Sequence, residues 1–294
     1  MSTMIDLISE TKRITYGSLN DQINLVGTAY TAGDDTLVLE LDVTGITAGM
    51  MISSGLNVWY TKGIDVATRS VFVIPGYNNS PKKDALVGDF VYIKPRVTDW
   101  YLFETINREI LRLSSPQNGL YKIGSWTAAI DTTYQTYAVP AEALNMVGLL
   151  RVRYLSPGST DLYVDIPSNY YRVQTGVTST IVRLLINIPS GTSLEFLYKA
   201  PFSAAVNLSD NIESVCGLTS TMLDIPPLGA YSTLLMTTDS SRNQIQTQGD
   251  ARRANEVAAG SNNRAGLFVD EQYRSRVSEE VIRLIQRVPF VRSI

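Results

Sequence analysis

The spacing of apolar positions changes several times along the chain, and each change marks an element. From Thr3 to Tyr16, the residues Met4, Ile5, Leu7, Ile8 and Ile14 cluster among charged ones. That spacing predicts a short amphipathic helix, with Thr3 or Ser2 as cap and Gly17 as stop. From Thr28 to Lys94 the period becomes two. "TLVLELDV" puts Leu37, Leu39, Leu41 and Val43 on one side, and "MMIS", "LNVWYTKGIDV", "SVFVIPGY" and "DFVYIKP" follow between Gly, Asn, Pro and Asp. Short alternating runs with such punctuation predict a small β-barrel or sandwich. "PGYNNSPKKDALVGD" stacks turn formers and two lysines and reads as a long exposed loop.

"TDWYLFETINREILRLSSP" returns to helical spacing, with Trp100, Phe103, Ile106, Ile110 and Leu113 three or four residues apart. Thr98 or Asp99 can cap this helix, and Pro116 follows its end. From Gly119 to Ala200 the strand pattern resumes in short runs: "YKIGSWTAAI", "TYQTYAVP", "MVGLLRVRYL", "DLYVDI", "YYRVQT", "TIVRLLINI" and "SLEFLYKA". Their spacing and turn residues predict an antiparallel sandwich. After Pro201 the text is helical. "NLSDNIESVCGL" offers Ser209 and Asp210 as caps, and "DIPPLGAYSTLLM" places Pro226 and Pro227 where a missing N–H costs little. "GDARRANEVAAG" is rich in Ala and Arg. A long closing helix is expected over Asp270 to Val288, with Tyr273, Val277, Val281, Leu284, Ile285 and Val288 as its stripe.

The order helix, β module, helix, β module, helices predicts an α+β protein. It would be a discontinuous helical bundle carrying two antiparallel β insertions. The helical core takes 1–27, 97–118 and 201–294, the first β module 28–96 and the second 119–200. Helices of about a dozen residues are marginal alone, so the early ones should pack with the C-terminal ones.

Composition narrows the chemistry. With 44% hydrophobic and 18% charged residues among 294, the chain is globular in character. Its longest apolar runs, such as "MVGLLRV" from Met146, are too short to span a membrane, so no membrane partner is expected. The first residues hold no basic segment followed by an apolar core, so a secretory signal is not expected. Histidine is absent and there is one cysteine, Cys216, expected in a core. A Ser–His–Asp or Cys–His centre and a Cys/His metal site are therefore excluded. Neither "GSNNRAG" nor "GLYKIGS" matches a phosphate-cradling loop. No cofactor is expected. The carboxylate pairs Asp161 with Asp165 and Glu279 with Glu280 read first as solvated faces, and only secondarily as a glycosidase pair. The 16 tyrosines and Trp59, Trp100 and Trp126 suit cores and interfaces, with a sugar-binding platform as the rival reading. A net charge of −3 argues against a surface that grips nucleic acid all over.

The arginines are more informative. From Asp250 onward the chain carries Arg252, Arg253, Arg264, Arg274, Arg276, Arg283, Arg287 and Arg292 and no lysine. Arginine suits bidentate pairs at protein interfaces, although Arg283 with Glu279 and Arg276 with Glu280 are also spaced for pairing within the helix. Beyond that helix, Pro289 ends the helical text, and Phe290, Val291, Arg292 and Ile294 form an apolar hook with one charge.

The layout resembles the head-to-tail connector (adaptor or neck) proteins of tailed bacteriophages. It is carried by the β insertion "TLVLELDVTGITAGMMISSGLNVWYTKGID…SVFVIPGYNNS…ALVGDFVYIKPR" ahead of "DWYLFETINREILRLSSP", and by "DIPPLGAYSTLL" and "RSRVSEEVIRLIQRVPFVRSI" near the C-terminus. The resemblance implies a non-enzymatic virion protein at the head–tail junction, made in the host cytoplasm. Such proteins form a ring, commonly a dodecamer, beneath the portal. Its expected partners are further copies of itself, the portal protein and a tail or other neck protein. DNA would pass through without sequence-specific binding. Arg283, Arg287, Pro289, Phe290, Val291, Arg292 and Ile294 become the candidate partner-binding residues, docking in a groove or at a sheet edge of a neighbouring ring. The alternative is a baseplate or fibre-attachment subunit whose β module binds host polysaccharide.

Overall fold

A computed structural model describes residues 2–16, 21–130, 135–160, 162–176, 179–188, 193–246 and 261–287. The protein is α+β, with four α-helices and antiparallel sheets among the described residues. The chain divides into two compact units, Met1–Ile110 with Ala204–Ser275, and Leu111–Ser203 with Arg276–Ile294.

The first unit begins with helix α1 (Met4–Tyr16), which buries Met4, Leu7 and Ile8. Asp6 Oδ2 accepts both the backbone N–H and the hydroxyl of Thr3 at 2.8 Å, which ties the residue before the helix to its first turn. The remaining free donors are taken by a distant segment: Met4 N–H donates to Asp210 O (3.1 Å) and Ile5 N–H to Leu208 O (3.0 Å). The expected stop, Gly17, lies outside the described residues.

Six strands follow: β1 (Gln22–Leu25), β2 (Thr36–Val38), β3 (Met51–Ser54), β4 (Asn57–Asp65), β5 (Ser70–Pro75) and β6 (Phe90–Ile93). They form one antiparallel sheet in the order β1-β6-β3-β4-β5-β2. Its two edges meet. Just past β1 and β2, Val26 bridges Leu39, Gly27 N–H donates to Val38 O (2.9 Å) and Glu40 N–H donates to Leu25 O (2.9 Å). The sheet is thus stitched into a small barrel. At the stitch the backbones come so close that a Cβ on Gly27 would sit 2.9 Å from the Leu39 carbonyl carbon and oxygen, so glycine is needed there. Val26, Leu37, Leu39, Ile52, Trp59 and Val71 fill the interior. Tyr30 meets Trp59 edge-on at 5.3 Å and donates its hydroxyl proton to Asp34 O at 2.6 Å.

Two features of this sheet and its loops differ from the sequence expectation. Leu41, assigned to the inner face, is exposed, because β2 ends at Val38 and the chain turns away. The turn is held by buried Asn24, whose side-chain oxygen accepts Leu25 and Leu41 N–H and whose amide donates to Asp42 O. The lysine-bearing loop is also pinned, not free. Buried Ser80 exchanges hydrogen bonds with the backbone of Val58, Asn57 Oδ1 accepts Lys83 N–H, and Tyr30 and Ala85 bridge. The backbone makes this close turn through left-handed Gly76, Asn78 and Asn79.

Helix α2 (Asp99–Leu113) starts at Thr98, whose hydroxyl accepts Tyr101 N–H (3.2 Å), and buries Phe103, Ile106 and Ile110. Within the first unit Asn107 bonds Ala205 in both directions, at 3.0 and 2.9 Å. The "NLSDNIESVCGL" text forms a single π-type turn, Ile212–Cys216, and not an α-helix. Its cap is Asn211, which accepts Ser214 N–H, while Asp210 bonds Val206 and Asn207 N–H instead. Cys216 is buried, as expected. Helix α3 (Ile225–Gln246) carries Pro226 and Pro227 in its first turn and packs on α1. It also lies close to α2, because a Cβ on Gly229 would fall 2.7 Å from Glu109 Oε2. Helix α4 (Ser261–Arg287) begins well before the expected Asp270. Gly266 lets it approach α3, whose Ser232 hydroxyl donates to Gly266 O (3.1 Å).

In the second unit each of the seven runs becomes a strand: β7 (Lys122–Ala129), β8 (Thr136–Ala138), β9 (Gly148–Leu155), β10 (Tyr163–Ile166), β11 (Tyr171–Thr175), β12 (Thr180–Leu184) and β13 (Ser193–Ala200). They form a four-stranded sheet, β10-β9-β13-β7, and a three-stranded one, β11-β12-β8. Both are antiparallel, and Val152, Phe196 and Leu194 of one share a core with Tyr137, Val182 and Leu184 of the other. This is a sandwich. Trp126 stacks on Phe196 at 4.7 Å, and Tyr198 covers the Gly124 backbone so closely that a Cβ there would lie 2.3 Å from its ring.

Candidate docking surfaces

Helix α4 carries the sequence-predicted site residues. Its buried positions are Val269 and Tyr273 in the first unit and Val277, Glu280 and Leu284 in the second, a three- and four-residue spacing. The stripe therefore differs from the one expected. Ile285 is exposed and Val281 half-buried, while a carboxylate, Glu280, holds a buried place. A buried carboxylate must be paired. Arg283 Nη1 reaches Glu280 Oε1 at 2.5 Å and Arg276 Nη2 at 3.4 Å, with Arg276 also pairing Glu279. Arg283 thus serves Glu280 at i,i+3, and not Glu279 at i,i+4. Arg274 pairs with Asp270 at 2.8 Å. Arg283 remains about half exposed, and its charge is already engaged.

The helix ends at Arg287, and Pro289, Phe290, Val291, Arg292 and Ile294 lie outside the described residues, as do Arg252, Arg253 and Asp161. On the face of α4 away from its buried stripe, Leu267 and Phe268 are exposed in the first unit, and Ile282 and Ile285 in the second.

Sequence reasoning missed a cleft of about 410 Å³ in the first unit. Its walls are Ile5 of α1, Leu56 and Asn57 at the β3–β4 turn, Phe90 and Tyr92 of β6, and Leu208. Ile5 and Phe90 are exposed, and so are Leu86 and Val87 in the turn entering β6. Exposed apolar side chains at and beside a concavity mark a surface suited to binding a protein or another ligand. Asp84 and Asp89 stand at the same cleft. Each uses one carboxylate oxygen on a backbone N–H, Ala32 at 2.7 Å and Leu86 at 2.8 Å. At its floor Asp99 pairs with Lys12, whose ammonium lies 4.8 Å above the Tyr92 ring. The signal in the sequence was an apolar pair, Leu86-Val87, inside turn text between two aspartates.

Elsewhere among the described residues, several ionisable side chains are engaged with neighbours. Asp165 pairs with Arg151 at 3.7 Å on the sandwich surface. Glu195 and Arg153 face each other across β13 and β9 at 2.5 Å, with the guanidinium 4.3 Å over Tyr163; the Glu195 hydrogen bond raises the Arg153 pKa and fixes its charge. Lys199 lies 4.5 Å over the Tyr121 ring, and burial lowers its pKa while raising that of Tyr121. Among the described residues, no group of three or more His, Cys, Asp or Glu could hold a metal, and no helix is long and apolar enough to cross a membrane. The chain matches no protein-family model and no curated protein.

Proposed function

We propose that the chain is a structural virion protein of the phage neck, whose copies form a ring that connects the portal to the tail and extends the DNA channel. The observation that carries this reading is the group of exposed apolar residues Ile5, Leu86, Val87 and Phe90 at and beside the first-unit cleft. A surface of that kind suits protein contacts more than small-molecule chemistry. The connector-like layout of the sequence supports the same reading. Copies, portal and a tail or neck protein are the partners, and no catalysis is involved. Many equivalent contacts in a ring let each one be modest while the assembly stays tight.

The lumen of such a ring is neutral or acidic, in keeping with the net charge of −3 per chain, so that phosphates slide past without adhering. The rival reading, a baseplate or fibre subunit that binds polysaccharide, draws on the aromatic content. Trp59 is buried, Trp126 packs against the sandwich core and Trp100 stacks on Phe103, which engages all three tryptophans in packing.

Sedimentation of the purified chain, alone and with portal protein, tests the proposal. Ring-sized particles, located at the head–tail junction by electron microscopy of labelled virions, are expected. A trimer at fibre tips, or a monomer turning over glycans, would overturn it.

A further inference from the structure

The first sheet is stitched edge to edge by the Val26–Leu39 bridge and its flanking bonds, whereas among the described residues the sandwich has several open edges. β7 is the longest of these. It pairs with β13 over eight residues on one side, and among the described residues no strand lies on the other. In an antiparallel pair, alternate residues turn their N–H and C=O groups away from the partner. Among the described residues, no backbone hydrogen bond meets those outward groups of Lys122–Ala129. From Ile123 to Ile130 the strand reads Ile-Gly-Ser-Trp-Thr-Ala-Ala-Ile, with no charge and no proline. Edge strands that stay unpaired are normally blunted by lysine, proline, a bulge or short length. β7 has none of these protections inside Ile123–Ala129, and its pairing register with β13 is continuous.

At the opposite end of the same sheet, β10 is also without a strand on its outer side among the described residues. The strands alternate in direction along β10-β9-β13-β7. Because their number is even, β7 and β10 run in opposite directions. A rotation about an axis along the strands keeps strand direction, so it brings the β10 of a second copy antiparallel to β7. The three-stranded sheet cannot do this: β11 and β8 run the same way, and its seam would be a weaker parallel one.

We propose that the four-stranded sheet runs on from one copy to the next, β7 of each chain pairing antiparallel with β10 of its neighbour. This contact is heterologous, the kind that closes into rings when the rotation divides the circle. It rests on the reading of the chain as a ring subunit and specifies what joins the copies. Pairing spans β10, since Pro167 follows Ile166 and cannot extend the ladder.

The test mixes two full-length variants. One carries Ser125→Cys or Thr127→Cys on the exposed face of β7, the other Tyr163→Cys or Asp165→Cys on β10. Native Cys216 is fully buried and serves as background. Mild oxidation of the mixture should give a disulfide-linked heterodimer for at least one pairing. Each variant alone should stay uncrosslinked. Covalent dimers of a β7 variant alone would mean two-fold β7–β7 pairing and would overturn the proposal. Rings that form without any β7–β10 crosslink would overturn it too, while leaving the neck reading intact. A chain that stays monomeric with and without portal would overturn both.

Discussion

The two β modules solve the same problem in different ways. Each must hide the outward N–H and C=O groups of its terminal strands. The first does so within itself, by the bridge Val26–Leu39 and the flanking bonds of Gly27 and Glu40 that join β1 to β2. The second stops short, leaving β7 and β10 without an outer neighbour among the described residues. A closed barrel is a self-sufficient body. An open sandwich retains bonding capacity, and that capacity has direction. The barrel instead offers apolar side chains around a cleft, which select by shape and charge and not by backbone pairing.

Perturbing the modules in parallel sharpens this contrast. The largest effect is expected from Trp59→Ala. Trp59 is buried in the barrel and contacts Tyr30, so its removal should cost about 3–5 kcal/mol, read from denaturant unfolding followed by tryptophan-independent circular dichroism. If the barrel tolerates the loss with no change in midpoint, its core is not what holds it closed.

Smaller effects are expected at the two glycines of close approach. Gly27→Ala pushes a methyl group against the Leu39 carbonyl, a backbone obstacle, and should cost about 1–3 kcal/mol by prising the barrel stitch apart. Gly124→Ala meets the Tyr198 ring and should cost a similar amount, but Tyr198→Ala in the same chain should recover part of it, because the obstacle is a side chain. No such rescue is available for Gly27. Equal behaviour of the two variants would remove the distinction between a seam made of backbone and a core made of side chains.

The smallest effect is that of acid on the barrel turns. The Thr44 hydroxyl, then its N–H, lowers the Asp42 pKa, and the Thr68 hydroxyl, then the Ala67 N–H, lowers that of Asp65. A carboxylate whose folded pKa is depressed contributes stability above its unfolded pKa and loses it as pH falls through the folded value. The unfolding midpoint of the first unit should therefore drop as pH falls below the ordinary carboxylate range. Asp42→Asn with Asp65→Asn should flatten that limb. An unchanged acid limb in the double variant would assign the effect to other groups.

Much of this architecture was legible in the sequence. The seven runs between Gly119 and Ala200 all became strands; β7 and β13 alternate wet and dry faces along their length, and the other runs were marked off by their turn residues. The helix over Trp100–Leu113 was equally plain, since one face of it is buried. What was missed depends on partners far away in sequence. β1 is four residues, "QINL", without a clear alternation, and is a strand because β6 pairs with it. Leu41 breaks the inner stripe because Asn24 redirects the chain. The loop after β5 looked free because its anchors, Val58, Asn57 and Tyr30, stand apart from it in the chain. Glu280 occupies a core position that hydrophobic periodicity would give to an apolar residue, and only its arginines explain that. Of the candidate site residues, Arg283 is engaged within its own helix, and the cleft drew no notice because its walls come from segments far apart in sequence.

Hydrogen exchange of the full-length chain, before and after assembly with portal protein, tests the contrast between the closed and open modules most directly. The outward-facing amides of Lys122–Ala129 and Tyr163–Ile166, those not bonded to β13 or β9, should exchange quickly in the free chain and slow markedly on assembly. The strands of the barrel should be protected in both states and change little. Slow exchange of the outward β7 amides in the free chain, or an assembly that slows the barrel strands and leaves β7 and β10 untouched, would contradict it.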